Sequence, residues 1–530
     1  MTVKSEQPLF SLIFEEAVAR HRLDQKAEAE ALYRAVLAIH PRHAEASYNL
    51  GLLCQMEERY QEAANLYRRA IAFRNDYVDA YSNLGTVLKE LKEYEQANTV
   101  YLLAIAIKPD HAMAYSNLGV SLKEQRRFDE AVAVYRQAIT LAPDYEWAYA
   151  NQAPVLLEQG DSRASIIASQ RAITLTPDMS LAHYNLAAAL KAENLLQQSV
   201  DSFRHAIALR PDFGEAHFAL GQVLLMQGDY EAGWPEYSWR WSLPDYAWLS
   251  KIHGQFQQPL WTGERLDGKT ILIYAEQGMG DAIQYARYLP KVLGRGGRIV
   301  LAVHPPLKKL FAAIPGIAAV VGLDETPLPP FDVHCPLLGL PQVFGTRQET
   351  IPAQVPYLQA DPAETERWKK RIGGDGLKVG IVWAGNPTQR GDRWRSPRLA
   401  SMAPLFNVPG VRFVALQMGP GRADLETNPL PANVLDLGPE ITDFADTAAI
   451  MAGLDLVITS CTAPLHLAGA LGVPTWAVIP FAPHFLWQLD RSDSPWYPTL
   501  HLYRQTKPGR DWSVPIGRVV TDLSAMVEKM

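Results

Sequence analysis

A shift of 34 residues brings the first half of the chain into register with itself, and this period limits the fold more than any other feature. Pro109, Pro143, Pro177 and Pro211 fall one period apart, Pro41 stands two periods before Pro109, and Asn75 fills the missing step. Ala70, Ala104, Ala138, Ala172 and Ala206 keep the same spacing. So do Tyr33, Tyr67, Tyr101 and Tyr135, with Phe203 and Tyr237 resuming the row after Ser169. Such a unit is a helical hairpin. The alanines let paired helices approach, the rings fill the gap between them, and proline stops the second helix.

A 34-residue helical period of this kind is that of a tetratricopeptide repeat. Six repeats are clear between about 44 and 245, and residues 10–43 make a degenerate first one. The expected architecture is α + α/β: a repeat solenoid over 1–245, then a pair of Rossmann-like domains. Asn49, Asn83, Asn117, Asn151 and Asn185 recur at the period, until Ala219 ends the row. A carboxamide both donates and accepts, so such a track can grip the backbone of an extended peptide. The same residues also read as solvated filler on an inner helix face.

Residues 228–262 depart from the repeat pattern and hold Trp234, Trp239, Trp241, Trp248 and Trp261. Twelve of the thirteen tryptophans lie from 234 onward. Indole clusters at a junction commonly bury an interface, and terminal repeats need a cap, so 246–268 is expected to be a capping linker. Beyond it, short apolar runs alternate with helical stretches. ILIY (271–274), RIVLAV (298–303), AAVVGL (318–323) and FDVHCPLL (331–338) read as strands, and so do KVGIVWAG (378–385), VRFVALQ (411–417), DLVIT (455–459) and TWAVIP (475–480). A Pro-rich connector near 351–363 separates the two series, which predicts two parallel sheets over 269–363 and 364–510, facing a cleft. Residues 511–530 are expected to close the module as a helix, packed across both halves.

Ligands in such sheets sit at the carboxyl ends of strands, and two loops there stand out. In EQGMGDAIQYARYLP (276–290), Gly278 and Gly280 allow a tight turn and Asp281 reads as an N-cap. In TSCTAPLHLAGALGVP (459–474), Thr462 reads as an N-cap and Pro464 suits a first helical turn, a start that could receive phosphate. A thiol at Cys461, beside a helix N-terminus, is open either to a lowered pKa or to a plain packing role.

Together, AEQGMGDAIQYARYLP, GIVWAGNP with the later RWRS, DFADTAAIMAGLDLVIT, HLAGALGVP and RSDSPWYPTLHLYRQ make residues 269–513 similar to the glycosyltransferase module of bacterial tetratricopeptide-repeat proteins. These are related to heptosyltransferases and, distantly, to O-GlcNAc transferases, whose superhelix also carries an asparagine ladder. The resemblance implies a two-Rossmann (GT-B) transferase, the donor held mainly by the second half. Asp281 would occupy the place of the general base, or else cap and orient. Gln277, Gly278, Gly280 and Gln284 would line the acceptor side. Trp383, Gly385, Asn386, Arg393, Arg395 and Ser396 would contact phosphate or sugar, and Gln417 the nucleoside base. Asp446 and Thr447 would meet the ribose or cap their helix. Cys461, Thr462 and His466 would lie at the diphosphate, His466 alternatively as a buried structural histidine. The family pattern has Asp-Thr where this chain has Cys461-Thr462, and a Trp-Arg-Trp segment where it has HFLW (484–487).

The activity implied is inverting transfer from a nucleotide sugar to Ser or Thr of a protein, flagellin among the candidates. A glycan or lipid-linked acceptor, or an inactive scaffold, are the rival readings. No D-x-D sequence occurs, so neither metal nor other cofactor is expected beyond the nucleotide-sugar co-substrate. A net charge of −7 and the lack of a basic, aromatic patch argue against nucleic acid. Cys54, Cys335 and Cys461 are too scattered for disulfides or zinc, no run approaches the roughly 18 apolar residues that span a bilayer, and residues 1–20 lack a signal pattern. The expected compartment is the cytoplasm.

Overall fold

The computed structural model describes residues 9–244, 256–389 and 391–530. Trp248, Arg390 and residues 246–255 of the expected linker lie outside them. The chain divides into two compact units, Met1–Ala189 and Leu190–Met530.

The first unit is a series of helical hairpins, beginning with α1 (Leu9–Arg22) and α2 (Lys26–Ile39), the degenerate repeat. The periodic prolines stand two residues past the second helix of each pair, as with Pro109 after Ile107 and Pro143 after Leu141. Tyr33, Tyr67, Tyr101 and Tyr135 are all buried in one continuous core. Each ring from Tyr67 onward lies on a glycine of the partner helix. A Cβ would stand 2.8 Å from the Tyr67 ring at Gly51, 2.5 Å from Tyr101 at Gly85 and 2.6 Å from Tyr135 at Gly119. One period further on, Ser169 replaces the ring and Ala153 replaces the glycine, so volume lost on one helix is returned on the other. Ser165 then bridges the pair, donating from Oγ to the Ala153 carbonyl at 2.7 Å.

The second unit opens with the last repeats, ending in helix Tyr230–Tyr237 and a 3₁₀ turn, Ser238–Ser242. These pack on the α/β module, and Tyr230, Trp234 and Tyr237 share a core with both of its halves. The Trp234 indole donates to the Thr346 carbonyl at 3.0 Å, and Trp239 stacks on His217 at 4.0 Å. Trp261 belongs to the first half instead, where it is fully buried.

Both sheets are parallel throughout. The first comprises β1 (Thr270–Tyr274), β2 (Arg298–Val303), β3 (Ile317–Gly322) and β4 (Val333–Pro336), in the order β3-β2-β1-β4. The second comprises β5 (Leu377–Val382), β6 (Val411–Ala415), β7 (Val434–Asp436), β8 (Leu456–Ser460), β9 (Thr475–Ile479) and β10 (Leu500–Arg504). Its order, β7-β6-β5-β8-β9-β10, is that of a dinucleotide-binding sheet, and it reverses direction between β5 and β8. Sequence reading passes over β7 and β10. The first is three residues long, and the second carries an exposed His501 that interrupts its apolar run. The closing helix, Ser513–Glu528, buries Ile516, Val519 and Leu523 in a core made of second-half residues alone, so it does not bridge the halves as expected.

Candidate functional site

Two strand ends at points of reversal aim their loops at each other. Helix Met279–Tyr285 follows β1, and helix Ala463–Ala470 follows β8. They pack with almost no space between them. A Cβ on Gly280 would stand 3.0 Å from His466 Cδ2 and 3.2 Å from Ala463 Cα. Gly280 thus serves close approach of two helices, rather than of an acceptor. Gly385, after β5, plays the same part toward the second loop: its Cβ would meet Asp392 Oδ1 at 2.4 Å and Thr462 Cγ2 at 3.0 Å.

Asp281 is not the N-cap expected of it. Gly278 holds that position, and Asp281 sits in the first turn, with Oδ2 accepting the Gly278 N–H at 3.1 Å. The side chain is half-buried, so the cap bond does not use up its acceptor capacity. Enclosure by protein pushes its pKa up to about 6, against the pull of the Gly278 N–H and of Arg395. A carboxylate so placed is charged at neutral pH yet basic enough to take a proton.

Arg395 is the charge on which the site converges. It donates to Asp392 Oδ1 at 3.2 Å and Gln389 Oε1 at 2.5 Å. Its field reaches Asp281, Cys461, His466 and His484. Helix Ala463–Ala470 starts at Thr462 as expected, but the threonine hydroxyl caps nothing. It turns back to the Ser460 carbonyl at 3.3 Å. Cys461 is buried, and its Sγ accepts the Trp487 indole N–H at 2.9 Å. Burial pushes the thiol pKa up, so the lowered-pKa reading fails. His466 is neutral: burial, then His484 and Arg287, depress it to about 3, and Nδ1 pairs with the Tyr497 hydroxyl at 2.9 Å.

Several expected ligand residues hold the framework instead. Gln417 Oε1 accepts the N–H groups of Trp383 and Ala384 (3.1 and 2.9 Å), while Nε2 donates to the Ala384 and Met418 carbonyls (3.0 and 2.9 Å). Its carboxamide is saturated and has nothing left for a base. Trp383 is fully buried, its indole bonded to Gly421 O. Ser396 Oγ accepts from Gly385 N and donates to Asp392. Asp446 takes Thr442 N and Oγ1 at 3.0 and 2.5 Å; burial opposes its charge, but these bonds outweigh it and hold the pKa low. Thr447 returns its hydroxyl to Asp443 O at 3.1 Å. Both therefore stabilise the start of helix Phe444–Met451. Asn386 is exposed and closes a turn with Thr388, and Arg393 lies 5.0 Å from the Trp394 ring.

On the acceptor side, Gln277 Oε1 accepts from Tyr237 Oη at 3.3 Å and its carbonyl meets His304 Nε2 at 2.5 Å. Gln284 is fully buried, accepts from Arg287, and has no acceptor-facing surface. In the asparagine row, Asn49 bonds Tyr33, Asn83 Nδ2 donates to Tyr48 Oη at 2.9 Å, and Asn185 is buried with Nδ2 on the Ala150 carbonyl at 2.8 Å. Asn117 and Asn151 are half-buried. At these three rungs, then, the ladder ties neighbouring helices together with at least part of its bonding capacity.

Sequence reading missed Arg240, Glu276, His484 and Lys191. Arg240 and Glu276, the latter at the start of the loop that carries Asp281, form a buried ion pair at 2.5 Å. Lys191 bonds Gln222 at 2.6 Å and burial lowers it to about 8. His484 keeps an exposed face, and its pKa is shifted down by its surroundings, Lys191 and Arg395. No sequence spacing links these residues, which come from elements far apart in the chain.

Models described as tetratricopeptide repeats match residues 57–92, 76–144 and 188–234, so the N-terminal region is built of these repeats. Protein FlbA of Caulobacter vibrioides is 30% identical over 334 residues, covering 57% of this chain and 53% of FlbA. The chain therefore spans about half the length of that curated relative. Among solved structures, a tetratricopeptide repeat protein from Parabacteroides merdae is 15% identical, over 46% of this chain and 96% of its own (TM-score 0.40). YrrB, described as a TPR protein with an unusual peptide-binding site, is 18% identical over 36% of this chain and all of its own (TM-score 0.28). No helix among the described residues is long and apolar enough to cross a membrane.

Proposed function

We propose that this chain is a nucleotide-sugar-dependent protein O-glycosyltransferase, inverting and metal-independent, with the repeats presenting Ser or Thr of an acceptor such as flagellin. The observation that carries the reading is a half-buried carboxylate with its pKa raised to about 6, at the junction of two strand-end helices and within reach of the Arg395 charge. In the step proposed, Asp281 takes the acceptor hydroxyl proton and the oxygen attacks the sugar C1. The bond from C1 to the diphosphate oxygen breaks on the opposite face, and the departing diphosphate carries the electron pair. Arg395 and the N-terminal amides of helix Ala463–Ala470 face that charge. The proton stays on Asp281 until solvent removes it. Transfer to a glycan or lipid-linked acceptor would use the same chemistry.

The absence of an acid at Cys461 supports one further reading, a scaffold that binds partners without turnover. Melting temperature followed across a panel of UDP-, ADP-, GDP- and CMP-linked sugars separates the two. Stabilisation by one of them is expected, and no shift with any would leave the scaffold. Intact mass of a candidate acceptor co-expressed with wild type or Asp281→Asn then tests the base. Undiminished transfer by the variant would remove Asp281 from that role.

A further inference from the structure

The segment HFLW (484–487) is held between the last repeats and the loop after β8. On one side Asn194, in the turn after helix Ser180–Ala192, donates from Nδ2 to the Phe481 carbonyl at 2.8 Å. On the other, Trp487 bonds Cys461 and stacks on His466 at 5.6 Å. Between these anchors Phe485 packs on Tyr237 at 5.5 Å, and Tyr237 packs on Phe218 of helix Gly214–Gln227 at 5.0 Å. Gln222 stands one turn beyond Phe218 on the same face of that helix. Its Oε1 accepts from Lys191 Nζ at 2.6 Å. Lys191 thus lies on the face of the repeat helices that meets this segment, and its charge is felt at His484.

The protein satisfies neither side chain fully. Among the described residues Lys191 has no carboxylate partner, and Gln222 takes one of the three donors of its ammonium. Enclosure lowers its pKa to about 8, which leaves it charged at neutral pH. His484 has no hydrogen bond among the described residues and keeps an exposed face. Two and three periods upstream, Lys123 and Lys89 hold the same place in their repeats and pair with the next residue, Glu124 at 3.1 Å and Glu90 at 2.7 Å. After Lys191 that residue is Ala192. The lysine is kept and its acid is gone.

We propose that Lys191 and His484 form a subsite for a carboxylate, the Asp or Glu side chain of an acceptor segment close to the Ser or Thr that is modified. This rests on the reading of the chain as a protein glycosyltransferase. Lys191 supplies the charge and its spare N–H groups, and the neutral imidazole of His484 supplies one more donor. The carboxylate belongs to the acceptor because Lys191 comes from the repeats, whereas the departing diphosphate faces Arg395 and helix Ala463–Ala470. Such a subsite selects among hydroxyls by an acid at a fixed offset and takes no part in transfer.

The test needs neither donor nor known acceptor. Short fluorescein-labelled Ala/Gly peptides carry one central Ser and a single Glu walked through the flanks, each with a Gln twin. Anisotropy with the full-length chain should show the Glu peptide binding about tenfold tighter than its twin at one or two offsets. High salt should shrink that preference. Lys191→Met should abolish it, Lys191→Arg should keep most of it, and His484→Ala should weaken it by about two- to threefold. Equal binding of Glu and Gln twins by wild type at every offset would overturn the proposal, whether or not any variant folds. So would a preference that survives in Lys191→Met with a melting temperature near wild type, or a donor-induced thermal shift that Lys191→Met removes. If the preference appears and no nucleotide sugar shifts the melting temperature, the acidic-peptide subsite stands and the transferase reading falls. Equal twins beside a clear donor shift would leave the transferase reading and remove the subsite.

Discussion

The loops after β1 and after β8 are built to one plan and carry opposite electrostatics. Each leaves the carboxyl end of a strand at a point of reversal, turns on small residues and starts a short helix, and the two helices touch at Gly280 and Ala463. The first keeps a carboxylate whose pKa is raised to about 6, and the second keeps a histidine depressed to about 3. Enclosure drives both shifts, because it penalises whichever form is charged. The same environment therefore makes a better base of the acid and a permanently neutral group of the histidine. Only the first loop holds a residue that can move a proton near neutral pH.

The largest expected effect tests that contrast directly. Asp281→Asn should lower sugar transfer by about 10²–10⁴-fold, whereas Cys461→Ala should change it by less than about tenfold, both read as initial rates with the donor identified by thermal shift. Equal losses would place the proton-moving group in the other loop. Next, Gly280→Val should destabilise the second unit by about 1–3 kcal/mol in denaturant melts, because its side chain would enter the space held by His466 and Ala463.

The two loops should also pull stability in opposite directions with pH. Asp281 binds its proton more tightly when folded (about 6 against 3.8), so its contribution is fully present below pH 3.8 and is lost as pH rises through 6. His466 refuses its proton when folded (about 3 against 6.5), so its contribution is present above pH 6.5 and is lost as pH falls toward 3. Relative to wild type, Asp281→Asn should therefore gain about 1 kcal/mol at pH 8, a gap that closes by pH 4. His466→Gln should lose less on acidification than wild type does. Parallel pH–melting curves for both variants would break the comparison. The smallest effect belongs to the repeats: Asn83→Ala should cost about 0.5–1.5 kcal/mol through loss of its bond to Tyr48, as measured by urea unfolding.

The repeat array is legible in sequence because each unit restates its own packing rule, and even its exception is written twice, as Ser169 with Ala153. The strands were legible as unbroken apolar runs, the partly exposed β3 included, and β7 and β10 escaped because one is too short and the other half-polar. The candidate site was legible as loops but not as roles. Gln417, Ser396 and Asp446 are polar residues near strand ends, and sequence cannot say whether such a group faces a ligand or clamps its own backbone; all three clamp. Arg240 and Glu276 left no signal at all, since their pairing joins residues 36 apart on elements of different kind.

Arg287 gives the α/β module a property that its two-sheet plan alone would not. Its guanidinium, buried beneath the first half, donates to the Trp496 carbonyl of the second half at 2.5 Å and to Pro352 O of the connector at 3.4 Å. It also lies 4.4 Å from the Tyr497 ring. To swing the halves apart, the molecule would have to strip those partners from an arginine that cannot give up its charge. The hinge of this two-sheet module is in effect pinned.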